Sequence, residues 1–199
     1  MVRGWSVVVA LLLVPVLSGC SSDGTRDKPT PTPTALAKLD TASLRLARAE
    51  FCDQVPKSAV RRALGASPAT DASWGNGDPV DGEDGTGDIG HEIGCSWRGA
   101  GDTAVRAWVF ARPVSTSFAT TLVHEASRQK GCTVSQTKVL GDPAFLQQCA
   151  LTRGAERLRR AGLVGDTWVT CEVSGEPSGL RARTDTWCAQ VVAALAVAG

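Results

Sequence analysis

The chain has 199 residues, 43% of them hydrophobic and 21% charged, with 21 basic against 20 acidic side chains. That composition excludes disorder throughout and leaves room for one domain with a core of its own. The near-neutral balance offers no basic excess of the kind a nucleic-acid surface needs, so no nucleic-acid partner is expected.

The N-terminus carries one positive charge, Arg3, followed by an apolar run over residues 6–17. A membrane-spanning helix needs ~20 apolar residues, so the run reads as the middle of a cleavable leader, residues 1–19. It ends in Leu17-Ser18-Gly19-Cys20, which resembles the bacterial lipobox. The resemblance implies cleavage just before Cys20, a diacylglyceryl group on its thiol, and a protein held on the extracytoplasmic face of the cell membrane. Two acyl chains supply the stable anchoring that a single chain does not.

Residues 21–34 contain no large apolar side chain, and Pro29, Pro31 and Pro33 alternate with threonines. Such a tract cannot bury enough surface to fold and favours an extended polyproline stalk. Residues 20–43 are therefore assigned to the lipidated N-terminus and linker, and residues 44–199 to the domain. Residues 35–50 read as a lead-in. A first helix starts at Pro56, places Ala59, Val60, Ala63 and Leu64 on one stripe, and stops at Gly65. Residues 66–90, rich in Gly and Asp, read as loop. Strands are expected over 93–98 and 105–112, joined by a Gly-Ala-Gly-Asp turn at 99–102.

A helix follows over 116–130, with Phe118, Leu122 and Ala126 as its apolar stripe and Gly131 as its stop. Three further strands are expected over 145–151, 158–164 and 167–173, and a last helix over 185–197 with Trp187, Val191, Val192 and Leu195 inward. This order predicts a single α+β domain with a mostly antiparallel sheet, because the connections are too short for parallel crossovers.

Seven cysteines occur. An odd number in an exported chain needs a reason for the leftover thiol, and lipidated Cys20 supplies it. The six that remain suit three disulfides in an oxidising compartment. Six cysteines admit fifteen connectivities and sequence alone does not choose among them. Neighbour pairing, Cys52 with Cys95, Cys132 with Cys149 and Cys171 with Cys188, is the expectation, with the last two each tying a helix edge to a strand. No CxxC spacing occurs and there are two histidines, so neither a zinc site nor another metal is expected.

Four segments carry a family resemblance: Phe51-Cys52-Asp53-Gln54-Val55-Pro56, Ala63-Leu64-Gly65, Gly94-Cys95-Ser96-Trp97 and Leu140-Gly141-Asp142-Pro143-Ala144. In this order they resemble a group of uncharacterised actinobacterial lipoproteins, over about residues 44–197. The domain of that group looks like the extracytoplasmic sensor domains of mycobacterial Ser/Thr kinases. The resemblance implies the Cys52–Cys95 disulfide and an α+β domain, and it carries over no catalytic residue. The third cysteine pair goes beyond the group's pattern.

Other motifs fail on context. Gly85, Gly87 and Gly90 match GxGxxG, but no strand precedes them and Asp84 and Asp88 would repel phosphate. The acidic loop fits no register of a calcium-binding EF-hand. His91-Glu92 and His124-Glu125 each begin an HExxH that lacks its second histidine. No catalytic residue and no cofactor are expected.

The strand over 105–112 alternates, with Val105, Ala107, Val109 and Ala111 on one face and Arg106, Trp108, Phe110 and Arg112 on the other. With the small residues in the core, the second face is a candidate binding surface. The expectation is a non-enzymatic, sensor-like or binding module of the cell envelope. Its partner would be an envelope protein or component. The alternative is a small apolar ligand in a pocket between sheet and helices.

Overall fold

The computed structural model describes residues 34–80 and 88–197. Cys20, the leader, the proline tract before residue 34 and the loop segment 81–87 lie outside the described residues. The elements in chain order are α1 (Lys57–Leu64), β1 (Thr70–Trp74), β2 (Pro79–Val80), β3 (Asp88–Ile89), β4 (Glu92–Arg98), β5 (Ala104–Phe110), α2 (Thr116–Arg128), β6 (Cys132–Thr137), β7 (Ala144–Ala150), β8 (Glu156–Val164), β9 (Thr167–Gly175) and α3 (Leu180–Leu195). Seven strands form one sheet in the order β1-β4-β5-β9-β8-β7-β6, and β2 and β3 form a separate ribbon. Every pairing is antiparallel. The protein is a single α+β domain with three disulfides.

Each helix forms for a local reason. Pro56 sets an extended N-cap for α1, and Gly65, at φ 77°, closes it in the left-handed conformation that glycine adopts without strain. The Ser115 side chain accepts a hydrogen bond from the Phe118 N–H and caps α2. Among the described residues no helix is long and apolar enough to cross a membrane.

The core lies on both sides of the sheet. On one side α1, α3 and the N-terminal segment cover Val105, Ala107 and Val109 of β5 and Val169, Cys171 and Val173 of β9. Fully burying each of these valines contributes roughly 1.5–3 kcal/mol. On the other side α2 packs Ala119 and Val123 onto Phe145, Ala161, Leu163 and Trp168. All nine residues of β9 are buried, as the middle strand of the seven-stranded sheet.

The predicted disulfides are all present: Cys52–Cys95, Cys132–Cys149 and Cys171–Cys188. The first joins the 3-10 turn Cys52–Gln54 to β4, and the third joins β9 to α3. The second differs from expectation. Its cysteines are paired residues on β6 and β7, so it bridges two strands rather than a helix and a strand.

Other departures have physical causes. β1 lies inside the region read as loop; its residues are polar and mostly exposed, and pairing with β4 alone makes them a strand. β6 is similarly polar and is held by β7. The stripe expected on α2 is rotated: Ala119 and Val123 are buried and Phe118 is exposed. The folded unit also reaches back before residue 44, since Leu36 is buried and packs against the α3 core. The Leu140-Gly141 segment sits against β8, where a Cβ at Gly141 or Gly162 would overlap the Leu163 or Leu140 carbonyl.

Candidate functional site

β5 alternates as its sequence requires. Val105, Ala107 and Val109 enter the α1/α3 core, and Arg106, Trp108 and Phe110 lie on the opposite face. On that face α2 covers β6, β7 and β8, while among the described residues no helix covers the ends of β4, β5, β9 and β8 nearest the β4–β5 hairpin. Strand register lays this open area out in rows. One row is Ser96, Arg106, Glu172 and Arg159, and the next is Arg98, Ala104, Ser174 and Arg157. On the other side of the first row lie Trp74, Gly94, Trp108 and Thr170.

The first row is held together by charge. Glu172 is 4% exposed and accepts from Arg159 Nε at 2.8 Å, with Arg159 Nη2 also at 2.8 Å and Arg157 Nε at 3.7 Å. The Arg159 guanidinium lies 5.3 Å from the Trp108 ring centroid. Arg106 lies 5.4 Å from the same ring and 5.7 Å from that of Trp74. Each such stack contributes about 0.5–2 kcal/mol, the upper end where water is excluded. Trp74 fits because Gly94 faces it. A Cβ at Gly94 would overlap the Trp74 ring, the Ala107 carbonyl and Trp108 Cβ.

Glu92 adjoins the same aromatic group. Burial pushes its carboxyl above the ordinary glutamate value, while Arg106, Arg159 and a hydrogen-bonding contact from the Trp108 indole each pull it down. From beneath the sheet, Trp187 Nε1–H donates to the Arg106 carbonyl at 2.9 Å, which pins this stretch of β5 to α3.

The second row floors a cleft of about 280 Å³, walled by Arg98, Arg106, Arg157 and Glu172 and closed at one end by the 99–103 hairpin. Ser174 Oγ donates to the Asp102 carbonyl at 2.8 Å and ties that hairpin to β9. Larger clefts of about 590 and 490 Å³ flank the Cys52–Cys95 disulfide beside β1 and are lined by Asp53 with Asp78 or Asp71. The first is lined by carboxylates and the second balances Asp53 and Asp71 with Lys57 and Arg61, whereas the smaller cleft gathers three guanidiniums.

The four residues proposed from sequence divide. Arg106 and Trp108 meet on the open face, but Trp108 is 8% exposed, roofed by arginines rather than presented bare. Phe110 packs against Phe118 of α2 at 6.3 Å between centroids. Arg112 is exposed beyond the end of β5. Trp97 and Trp187 pack edge to face at 5.5 Å in the core that holds Cys95 and Cys188.

Sequence reasoning missed Trp74, Glu92, Arg98, Arg157, Arg159 and Glu172. A signal existed for three of them. Arg157 and Arg159 alternate around Leu158, and Glu172 interrupts an apolar run. Trp74 was hidden in a segment read as loop. His124 is exposed on α2. Among the described residues no group of His, Cys, Asp and Glu is arranged to hold a metal ion. No protein-family model and no curated protein matches this chain.

Proposed function

We propose that this protein is a lipid-anchored, extracytoplasmic binding module that engages a partner in the cell envelope through its open arginine–tryptophan face. The observation that carries the reading is the stack of Arg106 and Arg159 on Trp108, on the part of the sheet that no helix covers among the described residues. Guanidiniums set on aromatic rings are pre-ordered donors, and ordering them in advance lowers the entropic cost of binding.

Anchoring is supported by cysteine parity. All six domain cysteines are in disulfides, which leaves Cys20 as the seventh and the one free for a thioether. Disulfides of this number also suit an oxidising compartment. The four short segments that resemble actinobacterial lipoproteins support the same setting, and the reading assigns no reaction to the protein.

The test is site-specific photocrosslinking in intact cells, with the reactive group placed in turn at Ala104 on the open face and at Thr120 on the outer side of α2. Adducts are expected from position 104 and not from position 120. Equal adducts from both, or none from either, would overturn the reading. Cys20→Ala is expected to release the protein from the membrane fraction.

A further inference from the structure

We propose that the cleft between Arg98 and Arg157 is an oxyanion site for a small phosphate- or carboxylate-bearing solute. The inference rests on the open face being a binding surface and names what its deepest part takes.

Three observations support it. First, the donors there are under-used. Arg157 has a side chain 14% exposed; its Nε lies 3.7 Å from the Glu172 carboxylate but is buried without a hydrogen-bond partner, and among the described residues its one side-chain hydrogen bond runs from Nη2 to the weak acceptor Sγ of Cys149 at 3.3 Å. Arg106 stacks on Trp74 and Trp108 and lies in the field of Glu92, with no side-chain hydrogen bond among the described residues, and Arg98 is exposed without an ion pair among them. Buried guanidinium donors are ordinarily satisfied, so the unbonded Arg157 Nε, beside two further arginines on the same cleft, points to an absent acceptor.

Second, the register places these groups around a small floor. Arg98 on β4 and Arg157 on β8 share a row with Ala104 and Ser174 between them. Their backbones are three strands apart, ~14 Å at the usual strand spacing. Both arginines line the cleft over the two short residues, with Arg106 and Ser96 on the adjoining row. A cleft of about 280 Å³ suits a compact solute rather than a polymer segment.

Third, the charge has the right sign after the fixed pairs are taken out. Glu172 and Asp102 also line the cleft. Glu172 is shared between Arg159, outside the cleft, at 2.8 Å and Arg157 at 3.7 Å, and Asp102 is exposed on the hairpin. The three guanidiniums that line the cleft, Arg98, Arg106 and Arg157, thus outnumber its two carboxylates, one of which also serves Arg159.

The experiment is calorimetric titration of the full chain with inorganic phosphate, then with acetate, at low and at physiological salt. Saturable binding is expected, weaker at high salt. Arg157→Gln and Arg98→Gln should each weaken it at least tenfold, while Arg157→Lys retains part of it and Arg112→Gln changes nothing. Arg98 is exposed and has no ion pair among the described residues, so R98Q tests the site even if R157Q folds poorly.

Absence of saturable binding by both probes, or binding indifferent to R98Q and R157Q, would overturn the proposal. Binding to vesicles containing phosphatidylglycerol with none to either solute would also overturn it, by assigning the arginines to a membrane surface. If the titrations fail while crosslinks still form at Ala104, the subsite is wrong and the surface reading stands. If they succeed while crosslinks are absent, the solute is the ligand and the macromolecular partner is wrong.

Discussion

Glu172→Gln should lower the stability of the domain and strengthen its binding of phosphate. Glu172 is the buried carboxylate that holds Arg159 at 2.8 Å and faces Arg157 at 3.7 Å. Removing one partner of a fully buried ion pair costs 3–5 kcal/mol. Here the two arginine side chains are 22% and 14% exposed, so water recovers part of that and about 2 kcal/mol is expected. For a domain of this size that is a fall of about 4–8 °C in Tm.

Binding moves the other way. Glu172 stands one row, ~7 Å along β9, from the floor of the cleft. At effective dielectrics between ~20 and ~80, losing a negative charge at that distance favours a bound monoanion by about 0.6–2.4 kcal/mol, roughly three- to fifty-fold. Thermal unfolding by circular dichroism and phosphate calorimetry on the same sample read both quantities. Local misfolding alone would lower both. A variant as stable as the parent, or less stable with weaker binding, would refute the role given to Glu172.

Three other outcomes follow from the packing. The Glu92 carboxyl is raised by burial, so the folded state holds its proton more tightly than the unfolded chain does. Stability from this group is present below the ordinary glutamate value of ~4.3 and is lost as pH rises through the raised folded value. Glu92→Gln should therefore gain stability relative to the parent as pH rises from about 4 to 7, measured by urea unfolding; a constant difference would contradict this. Gly94→Ala should cost about 1–3 kcal/mol by displacing Trp74, read as lower stability with altered tryptophan fluorescence. Replacing both cysteines of a pair by alanine should cost about 4 kcal/mol for Cys52–Cys95 and about 3 kcal/mol for Cys132–Cys149, because separations of 43 and 17 residues close loops of different entropy. The reverse order in denaturant midpoints would contradict the loop argument.

Elements with a strong apolar period were legible in the sequence. The α1 stripe with Pro56 and Gly65 at its ends, the alternation of β5, and the inward face of Trp187, Val191, Val192 and Leu195 on α3 all lie where the residue pattern places them. β1 and β6 were not legible, because an edge strand needs one partner and no buried face, and polar Thr, Ser and Gln satisfy that as well as valine. The start of α3 at Leu180, before the predicted 185, follows from Gly179 adopting φ 65° ahead of a buried Leu180.

The candidate site was half legible for a related reason. Alternation on β5 put Arg106 and Trp108 on one face, but what lies beside them depends on strand order. β5 pairs with β9, far along the chain, and β9 with β8. Only that topology sets Glu172 next to Arg106 and Arg159 next to Glu172. The bare aromatic patch expected from sequence became an arginine-roofed tryptophan, since neighbouring long side chains covered the ring.

The most direct test of the oxyanion site on the open face is a proton–nitrogen NMR titration of the full chain with inorganic phosphate, following arginine Nε–H and tryptophan indole signals. The account predicts that Arg106, Arg157 and Trp108 shift together and saturate with one affinity, while the core indole of Trp187 stays still. Shifts confined to Arg61 and Arg62 on α1, or a linear drift without saturation at any arginine, would contradict it.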